Sequence, residues 1–437
     1  MSSSTQPTEG TLDSRNDSGP PSPSPPRPAT RPSYRRTLAN RPFFLLWVAQ
    51  IVSQSGDYIF EVALIWLVLE ITHSAFAVGI MVTGTILPTV VLGPFLGVFI
   101  DRWDRRRTLV ATNVAQGLVV AALSGLVIAG RTDLTALFAI VLMLGTGTIV
   151  VRVSTNAYVP SVVSVNDLPP ANSLLSFSGS MNQIIGLSIG GVFVALLGVT
   201  LPIEYDAATF FAAALLLLLI PQAKGTLEGT GARAARRFRS ELAEGFAFIR
   251  RNRFLVEVFA IGMIVNFFGM GITALFAPYA AFVLHGGPVV YGALGAFLAA
   301  GSFGGAAAIG RVDMRRSAGR YYLGAGIGLS AAILLLGLSN VLPISLALML
   351  GVGAGVGINA IAVSVMLQAK VPARLLGRVS AALMALRTAS APAGPIFAGW
   401  LAATWSVGGT FLLSGGIMIG IIGLAAVTMT SLRTVEF

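Results

Sequence analysis

Cysteine is absent, histidine occurs only as His73 and His285, and lysine only as Lys224 and Lys370. Without cysteine there is no disulfide, no thiolate nucleophile and no cysteine-based zinc site. Two isolated histidines cannot form a metal-binding cluster. Neither lysine stands in G-x-x-x-x-G-K-[ST], which excludes a phosphate loop and ATP hydrolysis by that route. Charge is also scarce. Only 11% of residues are charged, against roughly 25% in a soluble domain. Residues 258–310, 321–369 and 388–432 contain no Asp, Glu, Lys or Arg at all. Each run is about twice the ~20 residues that cross a bilayer, so each holds two crossings joined by an uncharged turn. The chain therefore reads as an all-α polytopic membrane protein rather than an enzyme, with no cofactor or metal expected.

What is present is long apolar sequence, 55% hydrophobic overall and with 50 glycines. Twelve apolar segments are expected, near 43–71, 75–100, 107–130, 134–158, 171–198, 202–221, 254–284, 288–310, 320–339, 342–368, 377–404 and 407–431. Before them, residues 1–40 are rich in Ser, Pro, Thr and Arg and cannot bury enough surface to fold. They read as a disordered tail without the apolar core of a signal peptide. Residues 41–221 and 254–437 then form two six-helix lobes. Between them, 222–253 is a polar linker in which RRFRSELAEGFAFIRRNRFL predicts an amphipathic helix at the membrane surface. Glycine-rich stretches such as GLSIGG (186–191) and GVGAGVG (351–357) suit close helix packing.

The arginines test this count. If the N-terminus is cytoplasmic, 26 of the 29 Lys/Arg fall in the tail up to and including Arg41, in the loops at 101–107, 222–253, 311–320 and 369–378, or at Arg433. Only Arg131 falls in an outer loop, while Arg152 and Arg387 lie inside spans. This alternation follows the positive-inside rule and puts both termini in the cytoplasm of a cell-membrane protein. It accounts for the net charge of +11 as orientation in a lipid bilayer, with no nucleic-acid partner.

Two carboxylates interrupt the first span, in SQSGDYIFE (53–61). Asp57 and Glu61 are four residues apart and share a helix face. At ~1.5 Å rise per residue, Asp57 sits roughly 21 Å from the inner end, past the bilayer middle. A charged Asp facing lipid there costs at least ~2.5–3.5 kcal/mol, so both acids should face a cavity or carry a proton. A carboxylate that exchanges a proton with alternating access suits proton coupling. The competing reading is that Asp57 bonds a neighbour in SQSG and Glu61 lies in an outer vestibule. Arg387, deep in span eleven, needs a counter-charge, carbonyls or an anionic substrate. Arg152 either snorkels to the inner surface or belongs to the site. Asn182 and Asn266 are equally suited to interhelical hydrogen bonds and to substrate contact. The aromatic and methionine residues of span seven, including Phe267, Phe268 and Met270, suit either an adaptable cavity or packing.

The halves echo each other: GPFLGVFIDRWDRRR follows span two and GSFGGAAAIGRVDMRR follows span eight. The sequence Gly97-Val-Phe-Ile-Asp101-Arg102-Trp-Asp104-Arg105-Arg106 resembles the signature loop between helices two and three of the major facilitator superfamily. SQSGDYIFEVALIWLVLEITHSA, ANSLLS (171–176), GRVSAAL (377–383) and APAGPIFAGWL (391–401) look like its macrolide-efflux-type branch of drug and siderophore exporters. In the antiporter motif of helix five, Asn182 and Leu187 replace the first Gly and the Pro, and Arg311 replaces the acid in the second signature loop. The resemblance implies a monomeric twelve-helix transporter that exports a hydrophobic or amphiphilic small molecule against protons, a multidrug-type function. An uptake symporter or facilitator for a nutrient, or a non-transporting sensor, are the alternatives. It further implies that Gly97, Asp101, Arg102, Arg105 and Arg106 act in the inner gate, with Asp101 facing the start of helix eleven near Gly377.

Overall fold

In the computed structural model the described residues are 33–100, 103–221, 231–312 and 317–428, the side chains of 94, 95, 97–100 and 231–239 excepted. Residues 1–32 of the expected tail therefore lie outside them, as do Asp101 and Arg102, while Gly97 is described only as part of a helical backbone. Every regular element is helical among the described residues. The chain runs α1 (Tyr34–Ala39), α2 (Arg41–Thr72), α3 (Ala75–Ile100), α4 (Arg105–Ile128), α5 (Leu134–Val162), α6 (Leu168–Leu197) and α7 (Thr200–Leu218). It continues through α8 (Gly231–Arg251), α9 (Arg253–Ala274), the single turn α10 (Phe276–Pro278), α11 (Pro288–Ile309), α12 (Ala318–Leu338), α13 (Leu342–Lys370), α14 (Ala373–Ser390), α15 (Ala393–Thr404) and α16 (Val407–Thr428). Eleven of these elements are long and apolar enough to cross a bilayer unaided. The twelfth crossing is the α14–α15 pair. The helices alternate in direction, so one end of the bundle, the near face, holds Arg41, Arg105 and Val163. The far face holds His73, Gly130 and Gly198.

Three departures from the expected boundaries have physical causes. Residues 34–39, assigned to the tail, form a helix. Ser33 caps it, and Arg36 Nη2 meets Asp167 Oδ1 at 2.6 Å in the turn before α6. Span eleven breaks after Ser390 because Pro392 has no N–H for Thr388, and Ala391 N–H turns back to that carbonyl at 3.3 Å. Span seven breaks at Leu275 for the same reason at Pro278, then continues as a π turn, Tyr279–Val283. The linker helix α8 is more than a surface element. Its Glu244 binds Arg378 of α14 at 2.5 Å, and a Cβ added to Gly245 would meet Ala382 Cβ at 3.2 Å.

The cores show how the lobes join. One apolar cluster at the far end combines both halves, from Phe60, Leu64 and Val68 to Leu275, Tyr279, Phe411 and Met418. At the near end the core divides. Phe43, Leu46, Leu109, Tyr158 and Leu217 cluster in the first lobe. Phe254, Val258, Tyr322, Met366 and Val379 cluster in the second. The lobes thus share one apolar core at the far face and keep separate cores at the near face, where α3 still approaches α8. Their far-end contacts use small residues, because these let backbones approach. A Cβ on Gly191 of α6 would lie 2.6 Å from the Pro288 carbonyl of α11, and one on Gly399 of α15 would lie 2.7 Å from the Ala75 carbonyl of α3.

Candidate functional site

A cavity of about 790 Å³ lies inside the first lobe. Every residue lining it falls between Gln50 and Phe210, on α2 through α7. Its walls are apolar at Leu64, Ile65, Val82, Val141 and Leu144, and polar at Gln116, Thr155 and Asn156. Asp57 and Glu61 both line it, as the shared helix face requires. Glu61 is exposed and Asp57 half-buried. Neither carboxylate makes a hydrogen bond among the described residues. Ser55, a possible partner in SQSG, instead donates to the Val52 carbonyl at 2.7 Å.

Arg152 lines the same cavity. It stands exposed there with no hydrogen-bond or ion-pair partner among the described residues. Two to three turns of α5 separate it from the near face, and it shares the space with the acids. Arg387 does not. It is exposed on α14, outside this cavity, and its side chain likewise has no partner among the described residues. The two asparagines are structural bridges here. Asn182 Nδ2 donates to the Ile51 carbonyl of α2 at 2.9 Å. Asn266 Nδ2 donates to the Arg387 carbonyl at 2.9 Å, where the break in span eleven has removed the helical donor. Thr83 of α3 donates to the Pro392 carbonyl at 3.0 Å from the other lobe. Irregular backbone at membrane depth is tolerated when protein groups satisfy it in this way.

A third acid was not expected from sequence. Asp206 of α7 also lines the cavity and is only 1% exposed. Thr209 Oγ1 donates to the Asp206 main-chain carbonyl at 2.8 Å and lies 3.4 Å from Oδ1, and Oδ2 is buried without a hydrogen-bond partner among the described residues. Gly56, next to Asp57, gives it room: a Cβ at position 56 would collide with Asp206 Oδ1 and Thr209 Oγ1. Asp206 and Asp57 line the same cavity from neighbouring helices. The signal was an acid within an apolar span, the same signal that marks Asp57. Its place near the start of the span, beside Glu204, gave it the look of an interfacial charge.

In the signature turn, Asp104 caps α4 by accepting from Arg107 N at 2.9 Å. Arg105 Nη1 donates to the Ala157 carbonyl of α5 at 2.8 Å, one turn before the end of that helix and beside Pro160. Arg106 Nε donates to the Leu217 carbonyl at 3.1 Å, and its Nη2 to that of Leu218. These carbonyls end α7, where a cation is favoured by the helix dipole. Both arginines therefore tie α4 to helices of their own lobe. The aromatic residues of α9 pack elsewhere. Phe267 stacks with Phe268 and Phe397 at ring separations of 5.2 and 5.6 Å, and Tyr279 is fully buried with its hydroxyl 2.8 Å from Ser345 Oγ. None of them lines the acidic cavity.

A family profile described as a transmembrane secretion effector, one of the major facilitator families, matches residues 35–437. The chain belongs to that family. Among its relatives, an uncharacterized transporter of the superfamily from Bacillus subtilis (strain 168), YvqJ, is 23% identical over 92% of this chain and 95% of its own. Macrolide efflux protein A of Streptococcus pyogenes is 24% identical over 86% and 93%. The multidrug efflux pump Tap of Mycobacterium tuberculosis (strain ATCC 25618 / H37Rv) is 26% identical over 90% and 95%. Solved structures share the fold. The nucleoside transporter NupG superposes with a TM-score of 0.68 at 12% identity, covering 89% of this chain and 99% of NupG. A bacterial homolog of the human lysosomal transporter Spinster, solved inward-facing and unoccupied, also gives 0.68, at 13% identity over 90% and 98%. This major facilitator protein is thus a multi-pass membrane transporter of small molecules and not an enzyme.

Proposed function

We propose that the chain exports a hydrophobic or amphiphilic small molecule across the cell membrane in exchange for protons. The observation that carries this reading is the pair Asp57 and Glu61, two carboxylates without hydrogen-bond partners among the described residues, opening into a cavity enclosed by membrane helices. An acid at such depth is tolerated where it faces water or takes up a proton. The near face holds the arginine-rich turns, so it is assigned to the cytoplasm, with both termini. Separate near-end cores then describe a state open to the cytoplasm, able to load substrate and release protons there. The cavity volume fits a drug-sized ligand, within the ~300–1,000 Å³ of small-molecule sites. The efflux names of the relatives above agree with outward transport. Gating at the near face is assigned to the 97–106 turn, and the transporting unit to a monomer.

The experiment is a comparison of compound accumulation in cells with and without the gene, using a panel of macrolides, hydrophobic cationic dyes and neutral amphiphiles. At least one compound should accumulate less in cells that make the protein, and dissipating the proton gradient should abolish the difference. Equal accumulation for the whole panel, or export indifferent to the gradient, would overturn the reading.

A further inference from the structure

We infer that Asp206 of α7 pairs with Asp57 of α2, and that the two carboxylates hold one exchangeable proton between them. This deepens the proposed coupling by naming the residue that completes the proton site. The geometry carries it. Gly56 has no side chain to hold α7 away, and the Asp206 carboxylate occupies the space that a Cβ there would take. Asp206 is buried to 1% exposure, and one of its oxygens, Oδ2, lacks any donor. A buried carboxylate oxygen with no donor is costly, and a proton on either acid supplies the missing hydrogen. The hydroxyl of Thr209 donates to the Asp206 main-chain carbonyl at 2.8 Å and lies 3.4 Å from Oδ1, so the carboxylate has little help from protein donors and a proton is what it lacks.

The surrounding elements leave few other ways to balance two adjacent acids. On α2, the ionisable neighbours are Tyr58 and Glu61, neither of them a cation. On α4, which packs against α7, the charged residues are Arg105, Arg106 and Arg107, all in the first turn at the near face. On α6 there is no charged residue, and on α7 itself the others are Glu204, bound to Ser124, and Tyr205. Among the described residues Arg152 of α5 is the one cation of the cavity wall, and it makes no hydrogen bond or ion pair with either acid. With both carboxylates ionised the pair would carry two negative charges at membrane depth. With one proton bound it carries one, and like charges side by side favour that state. The step is a simple binding equilibrium. A proton from the far-side water joins the pair, and the same proton leaves to water at the near side when the cavity opens there. Glu61, exposed in the same cavity, remains free to meet substrate.

The test is a proton titration of the purified full chain in nanodiscs, which requires no substrate. Wild type should release one proton between about pH 5 and pH 9 that Asp57→Asn lacks. Asp206→Asn should lack the same proton, and the double variant no more than either single one, because a shared proton can be lost only once. A neutral-range proton retained in Asp206→Asn but lost in Asp57→Asn would overturn the pair, as would two losses that add. If Asp206→Asn does not fold, Asp206→Glu keeps both acids and lengthens one of them. The affinity of the shared proton should then change at least tenfold, and an unshifted titration would overturn the proposal. Export that fails the accumulation test while this titration succeeds would refute the transport reading alone. Export that succeeds while the titration fails would refute the pair alone.

Discussion

Asp57 and Arg106 represent two ways in which a charge is tolerated in this bundle. Asp57 looks into the cavity without a hydrogen bond, and is therefore free to change partners. Replacing it by Asn preserves shape and removes the titrating oxygen. Asp57→Asn is expected to abolish gradient-driven export in vesicles while the protein still folds and binds the exported compound. Unchanged driven export would remove Asp57 from the mechanism. Arg106 is committed instead. It serves the two carbonyls that end α7, one of them at 3.1 Å. Hydrogen bonds from a charged donor contribute about 1.5–3 kcal/mol when sheltered, and this group is partly exposed. Arg106→Ala should therefore destabilise the first lobe by about 1 kcal/mol, read as a lower Tm in detergent. Because its bonds stay within one lobe, the loss should be the same in near-open and near-closed states.

At the scale of elements, the break between α14 and α15 has the most to say. Pro392 removes one helical donor, the Ala391 N–H takes its place at Thr388, and Asn266 and Ser390 serve the Arg387 carbonyl left over. Asn266→Ala leaves the Arg387 carbonyl with Ser390 alone, 3.0 Å away. The expected cost is about 1 kcal/mol, the net worth of one typical hydrogen bond. It should be accompanied by faster amide exchange near residues 387–391, which an unchanged exchange pattern would contradict. The break also marks where sequence reading stops. The twelve crossings were legible because charge-free runs and arginine-rich turns alternate, a constraint imposed by the bilayer on every segment separately. Asp57 and Glu61 were legible for the same reason. Asp206 carried the same signal but lay near a span's end, and only Gly56 on another helix draws it inward. The roles of Asn182 and Asn266 were undecidable from sequence, since a backbone carbonyl receiving their bonds belongs to a segment more than a hundred residues away. The helical turn at 34–39 likewise depends on Asp167, which no local pattern reveals.

The whole molecule is held by the far-end core and by glycine contacts between lobes. Gly191 and Gly292 bring α6 and α11 together, and their Cα atoms leave no room for a side chain. Gly191→Val would push the Pro288 carbonyl away, and so disfavours the arrangement with the far end closed. A shift of at least tenfold in the population of that state corresponds to ~1.4 kcal/mol. Spin labels on cysteines introduced at Val165 and Val312, both exposed near-face positions, should report a shorter mean distance in the valine variant. No native cysteine competes for the label. An unchanged distance distribution would show that the glycine contact does not set the balance between states.

Among the described residues the cavity is lined by the first lobe alone. On the proposed reading a ligand seated there travels as a passenger, because rocking would move the lobe and its occupant together and break none of their shared contacts. Any difference between tight and loose binding on the two sides would then come from the second lobe. Variation in the second lobe should accordingly alter how quickly cargo leaves, and variation in the first should alter which cargo is accepted.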